Sequence, residues 1–415
     1  MSLNETPRGV RVHLALFGRR NAGKSSVINA LTGQETAIVS DVKGTTTDPV
    51  FKTMEILPIG PCVIIDTAGL DDEGELGRLR IQKTLEIVDI TDAALLVVDI
   101  QKDLSAEDHR IINKFAEKKK PLILVLNKID TVTPQEQEQI IKKLQADLNI
   151  PVTAVSALHN QGIKELKNAL IAAIPEDEDK FKIVGDLIKP GDFVVLVTPI
   201  DKAAPKGRLI LPQQQTIRDI LESDAIAVVT KEFELRETLS NLAKKPRLVI
   251  TDSQVFLKVA ADTPKDILMT SFSILFARQK GDLSEFIRGA KAIDKLQDGD
   301  TVLIAEGCTH HKQSDDIGSV KIPRWLRQRT GKQIDFEFSS GKIFTETVKK
   351  YALIVHCGAC MMNRTGMLSR IEGAKTHQVP IVNYGILIAY VQGLLPRALE
   401  PFPLAKMILE EENLN

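Results

Sequence analysis

The sequence has little net charge, few cysteines and no long uninterrupted apolar run. Lysine and arginine number 54 against 55 aspartate and glutamate, which leaves a formal net charge of −1 over 415 residues. That balance argues against a surface built mainly to hold nucleic acid. Four cysteines in so long a chain do not form a disulfide framework, and with no signal-peptide pattern they point to a reducing cytoplasm. The longest apolar stretch, Val379 to Pro396, is interrupted by Asn383, Gly385 and Gln392. It suits a buried strand and helix rather than a membrane span. No internal repeat is visible. What remains is a chain of 43% hydrophobic and 26% charged residues, globular values for a length that predicts two or three domains.

Short apolar runs alternate with helical patterns through the first 174 residues. "RVHLALFG", "CVIIDTAG", "AALLVVDI", "LILVLNKID" and "PVTAVSA" read as buried strands, with amphipathic stretches such as "SAEDHRIINKFAEKKK" between them. This alternation predicts a parallel sheet covered by helices. The acidic break "IPEDEDK", Ile174 to Lys180, is the first candidate boundary. A second α/β pattern follows, with strand-like "DFVVLVTPI", "RLILP", "AIAVVT" and "RLVIT". A long helical region then runs from about residue 265 to Leu296, before strand-like "DTVLIAEG", "QIDFEFSS", "YALIVH" and "VPIVNY". The reading is an α/β chain of three domains, at residues 1–174, 180–265 and 266–415.

"FGRRNAGKSS" fits G-x-x-x-x-G-K-[ST] at Gly18, Gly23, Lys24 and Ser25, between a strand and a helical segment. That is the context a phosphate-binding loop requires. Backbone N–H groups of Gly18, Asn21, Ala22, Gly23, Lys24, Ser25 and Ser26 can wrap a phosphate chain. Lys24 neutralises the outer phosphates and the Ser25 hydroxyl reaches a magnesium ion. "DTAGL" begins at Asp66, where a carboxylate can hold a magnesium-bound water while Gly69 turns its N–H to a terminal phosphate. "NKID", Asn127, Lys128, Ile129 and Asp130, places a carboxylate to accept from the two guanine donors. Adenine offers no such pair, so ATP should be rejected. "SAL", Ser156, Ala157 and Leu158, can bring backbone N–H groups to the guanine oxygen. Four motifs in this order point to a GTPase that turns GTP into GDP and phosphate.

These motifs resemble the translation-factor-like branch of small GTPases, with its tRNA-modifying and ribosome-assembly members. "VKGTTTD", Val42 to Asp48, resembles their first switch, with Thr46 in the place of the magnesium-binding threonine. Thr47 stands where many relatives carry arginine, so no role of that arginine transfers. Leu70 stands where Ras-like enzymes place the water-orienting glutamine. Asn21 matches the asparagine that helps bind potassium in the tRNA-modifying relatives, which implies potassium-stimulated hydrolysis. Glu73 and Glu75 are further carboxylates able to position water.

Three of the four cysteines and three of the seven histidines fall between Cys308 and Cys360. Cys308, Thr309 and His310 are followed by 45 residues, 311–355, and then by His356, Cys357, Gly358, Ala359 and Cys360. Each group follows an apolar strand, so parallel pairing would bring both to one carboxyl edge, where α/β sheets form ligand crevices. "VPIVNY" would bring Asn383 or Tyr384 there too. A thioredoxin-like pair would use Cys357 and Cys360 but leave Cys308 idle. Cys308, His310, Cys357 and Cys360 could close a structural zinc tetrahedron, and the thiolates equally suit an iron–sulfur group. Cys62 reads as a small buried hydrophobe. The basic run "KIPRWLRQRTGK", Lys321 to Lys332, reads as a solvated face over a packed Trp325.

GTPase motifs, a middle α/β segment and the C-x-H…H-C-x-x-C layout together resemble the FeFe-hydrogenase maturation GTPases, the HydF family, over essentially the whole chain. The resemblance implies a 4Fe–4S cluster on Cys308, Cys357 and Cys360, with His310 and His356 as candidate fourth ligands beside Glu306, Asp315 and Asp316. His311 reads as a solvated neighbour. It also implies a scaffold that receives a di-iron precursor and passes it to apo-hydrogenase, with radical-SAM maturases as further partners and a middle domain that forms a homodimer. Neither nucleic acid nor membrane is expected as a partner. The rival class is a regulatory tRNA- or ribosome-associated GTPase pinned by structural zinc.

Overall fold

The computed structural model describes residues 8–33, 50–67, 87–174, 182–200, 209–307, 316–340, 346–359 and 362–411. Thr46, Thr47, Gly69, Leu70, Glu73, Glu75, Cys308, His310, His311, Asp315 and Cys360 lie outside the described residues. The chain forms two compact units, Met1–Glu178 and Asp179–Asn415.

In the first unit, β1 (Val12–Phe17), β2 (Val50–Ile56), β3 (Gly60–Asp66), β4 (Ala93–Asp99), β5 (Leu122–Asn127) and β6 (Val152–Val155) make one sheet in the order β2-β3-β1-β4-β5-β6. All pairs are parallel except β2 with β3. The interior strands are apolar at successive positions because both faces are covered. Leu14 and Leu16 pack on one side with Val27, Ile28, Leu166 and Leu170. Ala15 and Phe17 pack on the other with Ile111 and Phe115, the two phenylalanine rings meeting edge to face at 5.6 Å. β2 escapes a reading by apolar runs: Phe51, Thr53 and Glu55 are exposed, the alternation of an edge strand.

The second unit holds two four-stranded sheets. The first comprises β7 (Phe193–Val197), β8 (Ile226–Thr230), β9 (Leu248–Thr251) and β10 (Leu268–Ser271), ordered β10-β9-β7-β8. The second comprises β11 (Thr301–Glu306), β12 (Asp335–Ser340), β13 (Leu353–His356) and β14 (Ile381–Asn383), ordered β12-β11-β13-β14. Every pair in both sheets is parallel. The two therefore share one topology, in which strand order reverses between the first and third strands, at β7/β9 and at β11/β13. Such reversals open a crevice at the carboxyl ends.

Three expectations change here. The boundary near residue 265 falls inside this unit, because β10 completes the first sheet and one buried apolar cluster runs from Ile183 to Ala405. Leu268–Ser271 is a strand, although it sits in a stretch whose pattern reads helical; pairing with β9 decides it. The segment "RLILP" forms no strand within its described residues: Leu211 opens the helix Leu211–Glu222, and the Gln213 side chain accepts the Ile210 N–H at 3.1 Å. Trp325 sits half-buried in the helix Ile322–Thr330 against the core. The run's arginines are not simply solvated: Arg327 stacks over Phe336 and donates to the Ile334 carbonyl, and Arg329 pairs with Asp294. Among the described residues no helix is long and apolar enough to cross a membrane.

Candidate functional site

The phosphate-loop motif lies between β1 and the helix Lys24–Thr32. Gly18, Asn21 and Gly23 all have positive φ, at 138°, 64° and 91°. A Cβ on Gly18 would come 2.2 Å from the Val97 carbonyl oxygen, and one on Gly23 2.2 Å from Asn127 Nδ2. Both positions therefore need glycine for space as well as for conformation. Lys24 Nζ donates to the carbonyls of Gly18 at 2.7 Å and Arg19 at 3.1 Å, inside the loop. Ser25 is half-buried and Ser26 exposed at the helix start.

Parallel register brings the other motifs to the same edge. Leu16 pairs with Asp66, and Asn127 with both Asp99 and Val155. Burial raises the Asp66 carboxyl above its ordinary range, with Lys24 and Lys52 pulling the other way. Its Oδ1 is buried and makes no hydrogen bond among the described residues. An orphaned carboxylate oxygen beside a phosphate loop fits a magnesium-bound water, so Asp66 and Ser25 suit that ion.

Asn127 ties the edge together: Nδ2 donates to the Ala22 carbonyl at 3.0 Å, and Oδ1 accepts the Ala157 N–H at 3.1 Å. Lys128, at φ 68°, pairs with Asp99 at 2.7 Å. Asp130 is exposed, and the Ser156 hydroxyl donates to its Oδ1 at 2.5 Å. That bond is the main cause holding its carboxyl below the usual carboxylate range. Asp130 is thus an ionised acceptor facing solvent, as guanine reading requires. Ser156 acts here through its side chain, a role the motif alone did not indicate.

The cysteine segment sits at the β11/β13 reversal. Ala305 pairs with His356, and His356 with Asn383. The Cys357 N–H donates to the Ala305 carbonyl at 2.9 Å. Its buried sulfur accepts the Gly307 N–H at 3.0 Å and the Ala359 N–H at 3.4 Å. Two N–H dipoles aimed at one sulfur make it a hydrogen-bond acceptor, as the sulfur of a metal-bound thiolate is. The sulfur therefore fits a metal-ligand role. Among the described residues no group of three or more potential ligands is assembled, and Cys308 and Cys360 lie outside them.

His356 is buried and engaged at both nitrogens: Nδ1 meets the Cys357 carbonyl at 2.8 Å and Nε2 meets Arg370 Nη1 at 2.6 Å. Arginine only donates, so Nε2 accepts and Nδ1–H donates. Burial, with the Arg370 charge, pushes its pKa down to about 3. His356 is therefore a neutral brace behind Cys357, with no nitrogen left for iron, which removes it from the candidate fourth ligands. Asn383 is also structural: it caps the helix Tyr384–Val391 and donates to the Ser273 carbonyl at 3.2 Å. Glu306 is buried at the end of β11. A Cβ on Gly318 would come 2.4 Å from the Tyr384 hydroxyl and 2.9 Å from Glu306 Oε1, so these groups crowd the same crevice. Burial raises the Tyr384 phenol, aided by the charges of Cys357, Glu306 and Asp316. Arg370 escaped a reading by motif. Its signal is a charge at the inward spacing of Met367, Arg370, Ile371 and Ala374, all buried on the helix Arg364–Thr376.

Comparison with known proteins bears on both sites. Residues 183–281 match the family model of the hydrogen maturase F dimerization domain, and residues 284–401 that of the hydrogen maturase F tetramerization domain. Residues 13–128 match a model described as 50S ribosome-binding GTPase. The first unit thus carries a GTPase domain. GTPase Der of Mycoplasmopsis pulmonis is 35% identical over 168 residues, 38% of this chain and 38% of that protein. The tRNA modification GTPase MnmE of Moorella thermoacetica is 40% identical over 159 residues, 37% of this chain and 33% of that protein. The chain thus spans less than two-fifths of the length of these relatives. A solved structure of a single-residue variant of Aquifex aeolicus Era bound to GDP·AlF4− is 20% identical, covering 53% of this chain and 93% of that one, with a TM-score of 0.35.

Proposed function

The chain belongs to the hydrogen maturase F family, and on that premise we propose that it is a GTP-hydrolysing scaffold for the di-iron precursor of the FeFe-hydrogenase active site. Its C-terminal unit would hold a 4Fe–4S cluster on Cys308, Cys357 and Cys360, receive the precursor from radical-SAM maturases and hand it to apo-hydrogenase. The observation that carries this reading is the Cys357 sulfur, held by two backbone N–H groups at a strand-order reversal in a chain that also bears a GTPase domain. When bound, the cluster supplies an iron whose fourth position can exchange. With His356 committed to Arg370 and the Cys357 carbonyl, Glu306 and Asp316 are the described candidates for that position.

In the GTPase domain Lys24 sets a positive charge against the outer phosphates, Asp130 accepts from guanine, and Asn127 keeps the phosphate loop in register with the guanine loop. Asp66 and Ser25, with Thr46, would hold magnesium, which when bound neutralises phosphate charge. Gly69 would meet the terminal phosphate, and Asn21 would face potassium. Self-association fits the dimerization and tetramerization models. β8 supports it with an edge position and with Ile226 and Val229 exposed, Leu221 and Phe233 flanking them. A thiolate-held cluster suits a reducing cytoplasm.

The test is anaerobic purification followed by iron, sulfide and zinc analysis with an absorption spectrum. Iron with sulfide that vanishes in Cys308→Ser, Cys357→Ser and Cys360→Ser, but persists in His310→Ala and His356→Ala, is the expected result. Stoichiometric zinc without sulfide would instead favour a ribosome- or tRNA-associated GTPase with a structural zinc pin.

A further inference from the structure

Lys280 ends the helix Phe272–Lys280, which follows the last strand of the unit's first sheet, yet it is only 5% exposed. Its Nζ crosses to the second sheet's cysteine turn, donating to the carbonyls of Ala359 at 3.3 Å and Met362 at 3.0 Å. Arg364, just past that turn, donates back to the Gln279 carbonyl and, at 3.5 Å, to the Gly281 carbonyl. Each segment's cation donates to the other's carbonyls, the Ala359 carbonyl also accepting the Met362 N–H at 3.0 Å. The clamp spans the boundary between the regions matched as dimerization and tetramerization domains, 183–281 and 284–401.

The turn needs such a restraint. Ala359 stands at φ 48°, a conformation side-chain-bearing residues rarely adopt, and its N–H faces the Cys357 sulfur. Lys280 holds the carbonyls of both Ala359 and Met362, so the ammonium restrains the backbone that follows Cys357. A buried cation is also expensive unless negative charge lies close by. Thiolates carrying an anionic cluster would provide that charge.

We propose that Lys280 is a positioning residue for the metal site, fixing the backbone at Ala359 and Met362 from the neighbouring sheet and placing a positive charge beside the group that Cys357 holds. The charge component rests on the cluster reading above; the clamp does not. A nearby cation stabilises the more negative, reduced cluster more than the oxidised one, so its removal lowers the reduction potential.

The full chain is compared with Lys280→Met, which keeps the buried stem, and Lys280→Gln, which keeps a neutral donor. Two readouts are used: the midpoint potential and paramagnetic resonance spectrum of the reconstituted cluster, and the alkylation rate of Cys357 in metal-free protein followed by mass spectrometry. Lys280→Met is expected to bind iron and sulfide at a lower potential with an altered spectrum, and its Cys357 to alkylate about tenfold faster. Lys280→Gln should also lower the potential but leave alkylation near the parent rate. Parent potential and parent alkylation in Lys280→Met would overturn the proposal. Absence of iron and sulfide from the parent protein would sink the cluster reading instead, and the alkylation rates would then decide the clamp alone. If Lys280→Met does not fold, Lys280→Gln carries the potential test, and parent potential in that variant overturns the charge role.

Discussion

The nucleotide loop and the cysteine turn are both built at the carboxyl edge of parallel strands, and both bend through left-handed residues. They differ in what holds the bend. The nucleotide loop does so with its own sequence: glycines at positions 18 and 23 leave room for the Val97 carbonyl and the Asn127 amide, and Lys24 closes the loop on carbonyls five and six residues away. The cysteine turn bends at an alanine, Ala359; beside two local bonds, Ala359 N–H to the Cys357 sulfur and Met362 N–H to the Ala359 carbonyl, it draws restraints from distant segments. Lys280 is 79 residues from Ala359 in the chain, and Arg370 braces it through His356. One site is held largely by its own residues, with Asn127 adding a single long-range bond to the Ala22 carbonyl. The other depends on the packing of a whole unit.

That contrast can be broken most severely at Gly18. Gly18→Ala should cut GTP affinity more than about a hundredfold, because a backbone carbonyl cannot move aside for the methyl group. Fluorescent-nucleotide titration measures it, and the C-terminal unit should melt as in the parent. Near-parent affinity would mean the loop is less locally constrained than its geometry indicates.

Next in size is Asp130→Asn, which replaces the acceptor for the guanine donors with an amide. GTP affinity should fall by about a hundredfold while xanthosine triphosphate gains in its place. Competition between the two nucleotides reads this directly. Retained discrimination for GTP would show that Ser156 and Ala157 dominate recognition.

A smaller effect is expected at Asn21, at φ 64° on the loop. Potassium should accelerate hydrolysis about tenfold over sodium at equal ionic strength, and Asn21→Ala should erase most of the difference. Equal rates in the two salts would leave Asn21 as a turn residue only.

A graded effect sharpens the other side of the contrast. The folded-state pKa of His356 lies at about 3, against 6.5 for the free side chain. Between those values the unfolded chain binds a proton that the folded one refuses, so this contribution to stability falls as pH drops from about 6.5 toward 3. The slope it adds is at most about 1.4 kcal/mol per pH unit. Denaturant melts of parent and His356→Gln across that window should differ in slope by up to this amount. Parallel pH profiles would place His356 in a more hydrated setting than its two buried bonds suggest.

Much of the nucleotide site was legible because it is written in contiguous residues. Gly18 to Ser25, Asn127 to Asp130 and Ser156 to Leu158 each follow an apolar strand, and parallel strands bring such ends to one edge. Five of the six strands of that unit appear as apolar runs, four of them interior strands covered on both faces. β2 does not, because an edge strand alternates. β10 does not either, since four residues beside a helix, three of them buried, carry no period of their own, and only pairing with β9 defines them. The expected boundary at 265 meets the same limit, because the first sheet of the second unit runs on to β10.

By itself, then, the sequence determined the phosphate loop, the carboxylate of the Asn127–Asp130 motif and the placement of Cys357 just beyond β13. Backbone conformation over a few residues depends on glycine, on neighbouring side chains and on where an apolar run stops, all of which are local. Only the tertiary structure decided that His356 braces rather than ligates, that Ser156 steadies Asp130, and that Lys280 and Arg370 lie buried beneath the cysteine turn. The state of a buried polar group is set by what packs around it, and here those partners are strands and helices from distant parts of the chain.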